Sequence, residues 1–450
     1  MRGSARRRPV VAKTTINQTA GTLGAVRNLP IAERISWLIV AATTLILPLL
    51  VSLTGQDAFR LPKLLLLQAS GVVLAAVAVC STIIGVPFAR DQRWSRPLLI
   101  VIGAVLLWST VTTLVSTNHI LSIFSFLTVA TATMLFVATY SAAQNRSIAV
   151  LYIALVPALI NAVIAIAQRT AIWNPFTTEA TTDRLRTIAL LGNPNDVGMF
   201  LVAPTLAATA LGVTSKKHRL IGMIIAAILT FGLLASETLG AIAALSAGLF
   251  VLLLAMRPRA AIIAAVATLL VATAIVRLSP KRWSMTNSKL TAAAHGDVDI
   301  LVSGRIPAFR AAWRMFRQYP ILGIGPGCFA FHYFDEKIAL NMTGHAVRRF
   351  YRDPNFGEVH NEHLQILAEG GLPAYAIFIG GLAVLARISF RNVGEADGTR
   401  AAFAQRLALP LGVGIFVLAL SSFPLRLAAP TENGLFICAV TLAWSQHAAD

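Results

Sequence analysis

Long apolar runs recur along almost the whole chain, and each is close to the length that crosses a bilayer. A membrane-spanning helix needs roughly 20 apolar residues, because in hydrocarbon every backbone polar group must be hydrogen-bonded within the segment. The runs fall near 35–53, 64–86, 97–115, 127–142, 148–167, 193–212, 221–235, 241–256, 260–276, 366–386, 407–422 and 433–446. They predict an all-α polytopic membrane protein with about twelve transmembrane helices.

The composition excludes a soluble fold of this length. Of the 450 residues, 56% are hydrophobic and 13% are charged, whereas about a quarter of the residues in soluble domains are charged. We therefore attribute the net charge of +19 to loops that contact anionic membrane lipids. The sequence has no zinc-finger spacing and no RNA-binding aromatic motif, so nucleic acid is not an expected partner.

Basic residues predict the orientation of the chain. An N-terminal arm, residues 1–34, is rich in arginine, and every second connection between the apolar runs carries Lys or Arg. These basic connections lie near 90–96, 216–219 and 257–259, and the connections near 116–126 and 236–240 carry none. By the positive-inside rule, the arm and the C-terminal residues 447–450 are cytoplasmic.

One connection is much longer than the others. Residues 277–365 separate helices one to nine (35–276) from helices ten to twelve (366–446). On the predicted orientation this stretch is a large, partly helical periplasmic loop between helices nine and ten. Loops of this length are usually functional, so we expect the chemistry there. The pair within 221–256 leaves the helix count open, because a single re-entrant hairpin is an alternative for it.

The segment 303–329, SGRIPAFRAAWRMFRQYPILGIGPGCF, predicts a helix within this loop. Ser303 is suited to cap its start, and Tyr319 followed by proline should stop it after Gln318. Arg310, Arg314 and Arg317 share one face, and Phe309, Trp313 and Phe316 share a neighbouring one. The pattern predicts an interfacial helix with its aromatic side packed on the bundle and its arginines against lipid phosphates.

Arg305 falls on the aromatic side of this helix. A guanidinium on a packed side needs an anionic partner, so Arg305 is a candidate ligand-binding residue. The GIGPG sequence at 323–327 predicts a tight turn. A cradle for an oxyanion is the less favoured alternative for that turn.

The segment 358–372, EVHNEHLQILAEGGL, leads into the tenth predicted helix. We place His360 on a helical face with Leu364 and Leu367, packed away from bulk water. A partly buried histidine can act as a base near neutral pH, and a structural histidine is the equal alternative. Glu369 lies within the helix, where a carboxylate needs a partner. The histidines do not form the HExxH zinc pattern.

The segment 183–200, DRLRTIALLGNPNDVGMF, contains two further arginines. Arg184 and Arg186 precede a turn or cap that opens the sixth predicted helix. Taken alone, this segment predicts only a helix start.

Together these segments resemble the O-antigen ligase and polymerase superfamily of bacterial envelope glycan enzymes. The resemblance covers the multi-helix layout, and FRLPKLLLL (59–67) resembles the early Pro-Lys segment of the family. It is sharpest in RTIALLGNPN (186–195), GRIPAFRAAWRMFRQYPILGIGPGCF (304–329) and HNEHLQILAEGGL (360–372). Ala189 departs from the glycine that the family often has after its first arginine, so Arg184 remains a rival to Arg186.

The resemblance implies a metal-independent, inverting glycosyltransferase of the bacterial inner membrane, without a cofactor. Such enzymes move a glycan from undecaprenyl diphosphate to an acceptor hydroxyl at the periplasmic membrane face. The resemblance assigns the catalytic base to His360 and diphosphate binding to Arg305 and to Arg186 or Arg184. The supporting positions are Asn361, Glu369 and Asn195.

No sequence feature identifies the acceptor of the glycan. An O-antigen ligase that uses lipid A-core as acceptor is favoured, and an O-antigen or exopolysaccharide polymerase is the alternative. Two other classes stay open, a polysaccharide-lipid transporter and a non-enzymatic assembly factor that binds glycan-lipid. Transporters usually show internal repeats and buried charges near the membrane midplane, and neither is clear in this sequence.

Overall fold

The computed structural model describes residues 31–52, 57–85, 93–176, 186–256, 304–341, 355–390 and 398–448, with isolated residues between 259 and 302. The regular elements of these ranges are helices. In chain order they are α1 (Ile31–Ile46), α2 (Arg60–Ile83), α3 (Arg96–Leu114), α4 (His119–Ala143), α5 (Leu151–Arg169), α6 (Pro194–Thr214), α7 (Arg219–Ala235), α8 (Leu239–Met256), α9 (Ile306–Gln318), α10 (Phe329–Asn341), α11 (Glu362–Arg387), α12 (Gly398–Ala419) and α13 (Ala428–Trp444).

The membrane-spanning character of the chain is confirmed. Within the described ranges, nine helices are long and apolar enough to cross a bilayer, and α7 is apolar but shorter. Helices α1–α8 and α11–α13 correspond one by one to predicted membrane helices. The predicted ninth helix, 260–276, lies outside the described residues, as does the N-terminal arm.

The pair α7 and α8 consists of two separate helices. Near the start of α7, the hydroxyl of Tyr152 lies 2.8 Å from Nδ1 of His218. Near its end, Arg169 pairs with Glu237 at 2.7 Å. Because Tyr152 and Arg169 lie at opposite ends of α5, α7 runs the whole length of its neighbour. This length favours a separate helix over the alternative of a re-entrant hairpin.

Several helices extend beyond their apolar runs. Helix α4 begins at His119 rather than near 127, because the Asn118 side chain caps it by accepting from the Leu121 amide at 3.2 Å. Helix α12 begins at Gly398 rather than near 407. Its first turns carry Arg400, whose guanidinium donates to the carbonyl of Gln144 at 3.1 Å. A search for apolar runs does not detect polar first turns of this kind, so it places the start of the helix too late.

Helix α6 occupies the centre of the bundle. It is the most buried of the candidate spans among the described residues, and it packs against α7, α8, α12 and α13. Small residues allow the close approach: a Cβ on Gly222 of α7 would lie 2.8 Å from the backbone nitrogen of Gly212. Close packing through small residues is typical of membrane helices. The loop that precedes α6 is thereby held over the middle of the bundle.

Loops that are distant in sequence meet at one end of the bundle, which we call the site end. There the Thr117 hydroxyl donates to the carbonyl of Ile324 at 2.7 Å, and the Asn361 side chain donates to the carbonyl of Leu420 at 3.0 Å. The loops before α2 and α6 and between α12 and α13 share this end with α9 and α10. The alternation of connections predicted from charge agrees with this grouping.

Helices α9 and α10 form a second, smaller core on the start of α11. Its buried residues are Ala308, Ala311, Ala312, Met315, Ile324, Cys328, Phe329, Tyr333, Val359 and Ala368. The prediction that the aromatic side of α9 packs on the bundle is wrong for Trp313, whose surface is 49% exposed. The alanine face packs instead, because short side chains let α9 lie close to α11.

The start of α9 also differs from the prediction. Arg305 occupies the position before the helix, and the first amide, that of Ile306, donates to the Asp299 carboxylate at 2.8 Å. Ser303, the expected cap, lies outside the described residues. The end of the helix at Gln318 is confirmed. Of the three arginines on its face, Arg314 pairs with Glu336 at 2.9 Å, so it is held by protein rather than by lipid alone.

Candidate functional site

Backbone amides of the GIGPG turn after α9 are hydrogen-bonded to α11. The amide of Ile324 donates to the carbonyl of Ala368 at 3.0 Å, and the amide of Gly325 donates to the carbonyl of Glu369 at 3.0 Å. The amide of Gly327 donates to the Glu369 carboxylate at 2.9 Å. An oxyanion cradle needs free amides that point at the ligand, so the structural turn is the better interpretation.

Glu369 is the link between this turn and the rest of the site end. Its carboxylate is buried and accepts from the amide of Phe329 as well as that of Gly327. Arg426 lies 2.7 Å from the same carboxylate and 3.1 Å from the carboxylate of Glu362. Arg426 is thus the partner that a buried carboxylate at position 369 requires.

Helix α11 is kinked two residues after Glu369. Gly371 has a φ of 70°, a value that glycine adopts at no steric cost. The carbonyl of Pro320 accepts from the amide of Leu372 at 2.9 Å. The kink separates a short helix, Glu362 to Gly370, from the long apolar remainder of α11. The residues of the family-like signature therefore lie on the short helix and just before it.

His360 precedes α11 instead of lying on its face, so its predicted helical alignment with Leu364 and Leu367 is wrong. Its φ is 58°, in the left-handed region where histidine is several-fold enriched over most residues. Asn361 follows as the N-cap, and its side chain accepts from the amide of Leu364 at 3.0 Å. Asn361 therefore ends the left-handed turn and begins the helix.

The imidazole of His360 is half-buried between aromatic rings. Its centroid lies 4.8 Å from that of Phe423 and 5.9 Å from that of Phe356. Burial lowers the pKa of His360 to about 4, and the positive charges of Arg305 and Arg60 contribute to this shift. The ring is therefore neutral near pH 7, when it can accept a proton.

Arg305 is held at the site end by the loop between α12 and α13. Its Nη1 atom donates to the carbonyl of Ser421 at 2.9 Å, and Phe423, which contacts His360, follows two residues later. Arg305 is half-buried. The structure thus brings together Arg305 and His360, which lie 55 positions apart in the sequence.

Arg186 begins a tight loop at the same end. The amide of Ala189 donates to the Gln168 side chain at 2.8 Å, and the carbonyl of Leu190 accepts from Lys63 at 2.8 Å. Arg186 itself is exposed. Among the described residues no hydrogen bond or ion pair joins it to His360 or Arg305. Arg184 lies outside the described residues, so the choice between the two arginines stays open.

Ala189 adopts a φ of 43° and is fully buried. The family resemblance leads us to expect glycine at this position. A left-handed conformation explains that preference, because glycine adopts it without the Cβ clash. The loop here has the conformation that suits glycine although its residue is alanine.

Asn195 lies in the first turn of α6. The Asn193 side chain accepts from its amide at 2.8 Å, which confirms the predicted cap of this helix. The next residue, Asp196, is buried and receives two hydrogen bonds from Arg60, at 3.0 and 3.2 Å. The start of α2 is therefore fastened to the start of α6.

Two residues of the site end were not predicted from the sequence. Arg60 lies in the FRLPKLLLL segment, and Arg426 lies in a short connection near the C-terminus. Arg60 could have been noticed as an arginine at the edge of an apolar run. Many arginines in such positions only contact lipid headgroups, so the pattern does not identify a binding residue. The roles of Arg60 and Arg426 depend on tertiary neighbours more than 50 positions away.

A comparison with known families matches the middle part of the chain. Residues 224–379 match the family model described as O-antigen ligase. The resemblance to the O-antigen ligase and polymerase superfamily is confirmed. No curated protein sequence matches the chain.

The matched segment runs from within α7 to within α11. It contains Arg305, His360 and Glu369, whereas Arg60 and Arg186 lie before it. The family supports an enzyme of glycan transfer that works with lipid-linked substrates in a membrane. In the described parts of the chain, no group of three His, Cys, Asp or Glu side chains is arranged to hold a metal ion.

Proposed function

We propose that this protein transfers a glycan from undecaprenyl diphosphate to an acceptor hydroxyl at the periplasmic face of the bacterial inner membrane. We further propose that it is an O-antigen ligase whose acceptor is lipid A-core, with both termini in the cytoplasm. The observation that carries the proposal is the neutral imidazole of His360 beside the positive charge of Arg305. Both residues lie in the segment that matches the O-antigen ligase family.

His360 is the proposed base of the reaction. The acceptor hydroxyl is a weak nucleophile until its proton is removed. As its oxygen bonds to the anomeric carbon, the proton passes to a ring nitrogen of His360. The bond between that carbon and the phosphate oxygen breaks, and its electron pair leaves with the diphosphate. A single displacement of this kind inverts the anomeric configuration.

Arg305 is the proposed stabiliser of the leaving group. Negative charge grows on the diphosphate as the sugar departs, and a guanidinium is always charged and binds phosphate oxygens through two donors. Such help is stronger where water is scarce. Arg186, or its rival Arg184, is proposed as a second diphosphate ligand. The exposure of Arg186 is compatible with a ligand that arrives from the membrane.

The supporting residues are proposed to position the reacting groups. Asn361 fixes the backbone turn at His360 through its cap, and Glu369 joins the GIGPG turn to Arg426. Asn195 lies at the start of α6, next to the carboxylate that holds Arg60. These contacts support a structural task for Asn361 and Glu369 close to the site.

Deletion of the gene in the native host tests the proposal. Ligation predicts that lipid A-core loses all long-chain glycan on a gel, and that the wild-type gene restores it while a His360→Asn gene does not. A strain that keeps single repeat units on lipid A-core would instead identify the polymerase of the same superfamily. Unchanged glycans, or restoration by His360→Asn, would contradict the proposed reaction.

A further inference from the structure

Arg60 combines an anchored guanidinium with an accessible edge. Its Nε and Nη2 atoms bind Asp196, and no described residue accepts a hydrogen bond from Nη1. Its side chain is 45% exposed, whereas that of Asp196 is 5% exposed. A bidentate ion pair of this kind fixes the plane of the guanidinium. The remaining donors therefore point in a defined direction instead of sampling many.

Arg60 is also held from the backbone side. The Asp57 carboxylate accepts from the amides of Phe59 and Arg60 at 3.0 and 2.8 Å, and Lys63 donates to three backbone carbonyls around the same turn. The start of α2 is thus rigid before any ligand arrives. A rigid binding group loses little conformational entropy on binding.

A small cleft opens beside Arg60. It is lined by Phe59, Arg60, Lys63, Leu191, Asp196 and the residues Leu427 to Pro430. Residues Leu427 to Pro430 directly follow the loop that contains Phe423 and Arg426, and Phe423 contacts His360. The cleft therefore joins the loop before α6 to the surroundings of the imidazole. Its cationic side is supplied by Arg60, because the ammonium of Lys63 is buried and occupied by carbonyls.

The charge of Arg60 reaches His360 across the site end, as does the charge of Arg305. Arg60 and Arg305 thus bring two positive charges to the surroundings of one imidazole. A diphosphate carries enough negative charge to serve both.

We propose that Arg60, oriented by Asp196, binds the diphosphate of the polyprenyl carrier together with Arg305. This inference rests on the proposed function, since it names a further ligand of the same substrate. The phosphate of an ordinary membrane lipid has the same chemistry as one half of that diphosphate. The two sources differ in charge and in their ability to bridge two arginines.

Equilibrium binding to the purified full-length protein in phosphatidylcholine nanodiscs distinguishes them. The probes are radiolabelled undecaprenyl diphosphate and undecaprenyl monophosphate, with and without phosphatidylglycerol in the disc. Arg60→Gln should raise the Kd for the diphosphate about 10-fold or more, as expected for the loss of a charge-assisted hydrogen bond. The Kd for the monophosphate should change less, and phosphatidylglycerol should not compete.

Two further variants keep the test decisive. Arg60→Lys preserves the charge without the planar fork, so it should weaken diphosphate binding even if Arg60→Gln fails to fold. Arg314→Gln is the matched control, because Arg314 is 43% exposed and pairs with Glu336 at the same end of the molecule. It should leave the Kd unchanged.

The outcomes separate this inference from the proposed reaction. An unchanged diphosphate Kd in Arg60→Gln and Arg60→Lys would overturn it, and so would competition by phosphatidylglycerol at the same site. The binding assay needs no turnover. A wild-type protein that binds the diphosphate through Arg60 but forms no glycosidic bond would contradict the proposed function and still support the assignment of Arg60.

Discussion

Arg426 and Glu369 form a 2.7 Å ion pair that ties the loop before α13 to the turn after α9. The same carboxylate accepts the amides of Gly327 and Phe329. Arg426 also reaches Glu362, at 3.1 Å. One guanidinium therefore connects three chain segments: the loop before α13, the turn after α9 and the start of α11. The last of these directly follows His360. The shape of the site end depends on this connection.

Removal of Arg426 should destabilise the protein strongly. Arg426→Leu leaves two buried carboxylates without their cation, a change that costs about 3–5 kcal/mol in comparable buried pairs. Arg169→Leu breaks a more exposed pair with Glu237 and should cost about 1 kcal/mol or less. Thermal unfolding in nanodiscs compares the two variants. Equal losses of stability would show that the Arg426 cluster does not hold the site end together.

Replacement of His360 by asparagine should abolish transfer without unfolding the protein. Asparagine tolerates the left-handed φ of this position but cannot accept a proton at neutral pH. The loss of a general base predicts a decrease of about 10²–10⁴ in the single-turnover rate. The thermal midpoint should match that of the wild type. A variant that retains full activity would remove His360 from the mechanism.

The activity should depend on pH in two different ways. In the free enzyme the pKa of His360 is about 4, so kcat/KM should fall only as the pH drops through that value and the ring becomes protonated. Bound diphosphate offsets the charges of Arg305 and Arg60, which raises the pKa and moves the fall in kcat to higher pH. Arg305→Gln removes one positive charge and should move the fall in kcat/KM upward as well. A downward shift would contradict the electrostatic account.

Glycine should be accepted at position 189, whereas valine should not. The left-handed backbone costs an L-residue about 1–2 kcal/mol. Glycine avoids this cost, but its greater freedom in the unfolded chain destabilises the folded state by about 0.5–1 kcal/mol. Ala189→Gly should therefore be neutral or slightly stabilising. Ala189→Val adds a β-branched side chain at a buried left-handed position. A lower thermal midpoint for glycine than for valine would disprove the conformational explanation.

The layout of the bundle could be predicted from hydropathy, because lipid requires each spanning segment to be apolar and helical. The ends of the helices could not. Arg400 sits in the first turn of α12 because a carbonyl at the bundle end accepts its hydrogen bond, and a hydropathy pattern contains no trace of that contact. The packing of α9 was misjudged for a related reason: its small alanines fit closer than its aromatics.

The site was only partly predictable. Arg305 and His360 were recognised through the family resemblance, and the structure brings them together through Ser421 and Phe423. Arg60 was missed, because its effect on His360 arises from folding that joins positions 300 residues apart. Neither the left-handed turn at His360 nor the cation between Glu362 and Glu369 has a local sequence signal.

Product formation by the purified protein tests the central claim most directly. The full-length chain in nanodiscs is supplied with undecaprenyl-diphosphate-linked glycan and lipid A-core, and the products are analysed by mass spectrometry. The account predicts glycosylated lipid A-core and free undecaprenyl diphosphate in equal amounts from the wild type, and neither from His360→Asn. Tight binding of both substrates by the wild type with no new glycosidic bond would contradict it.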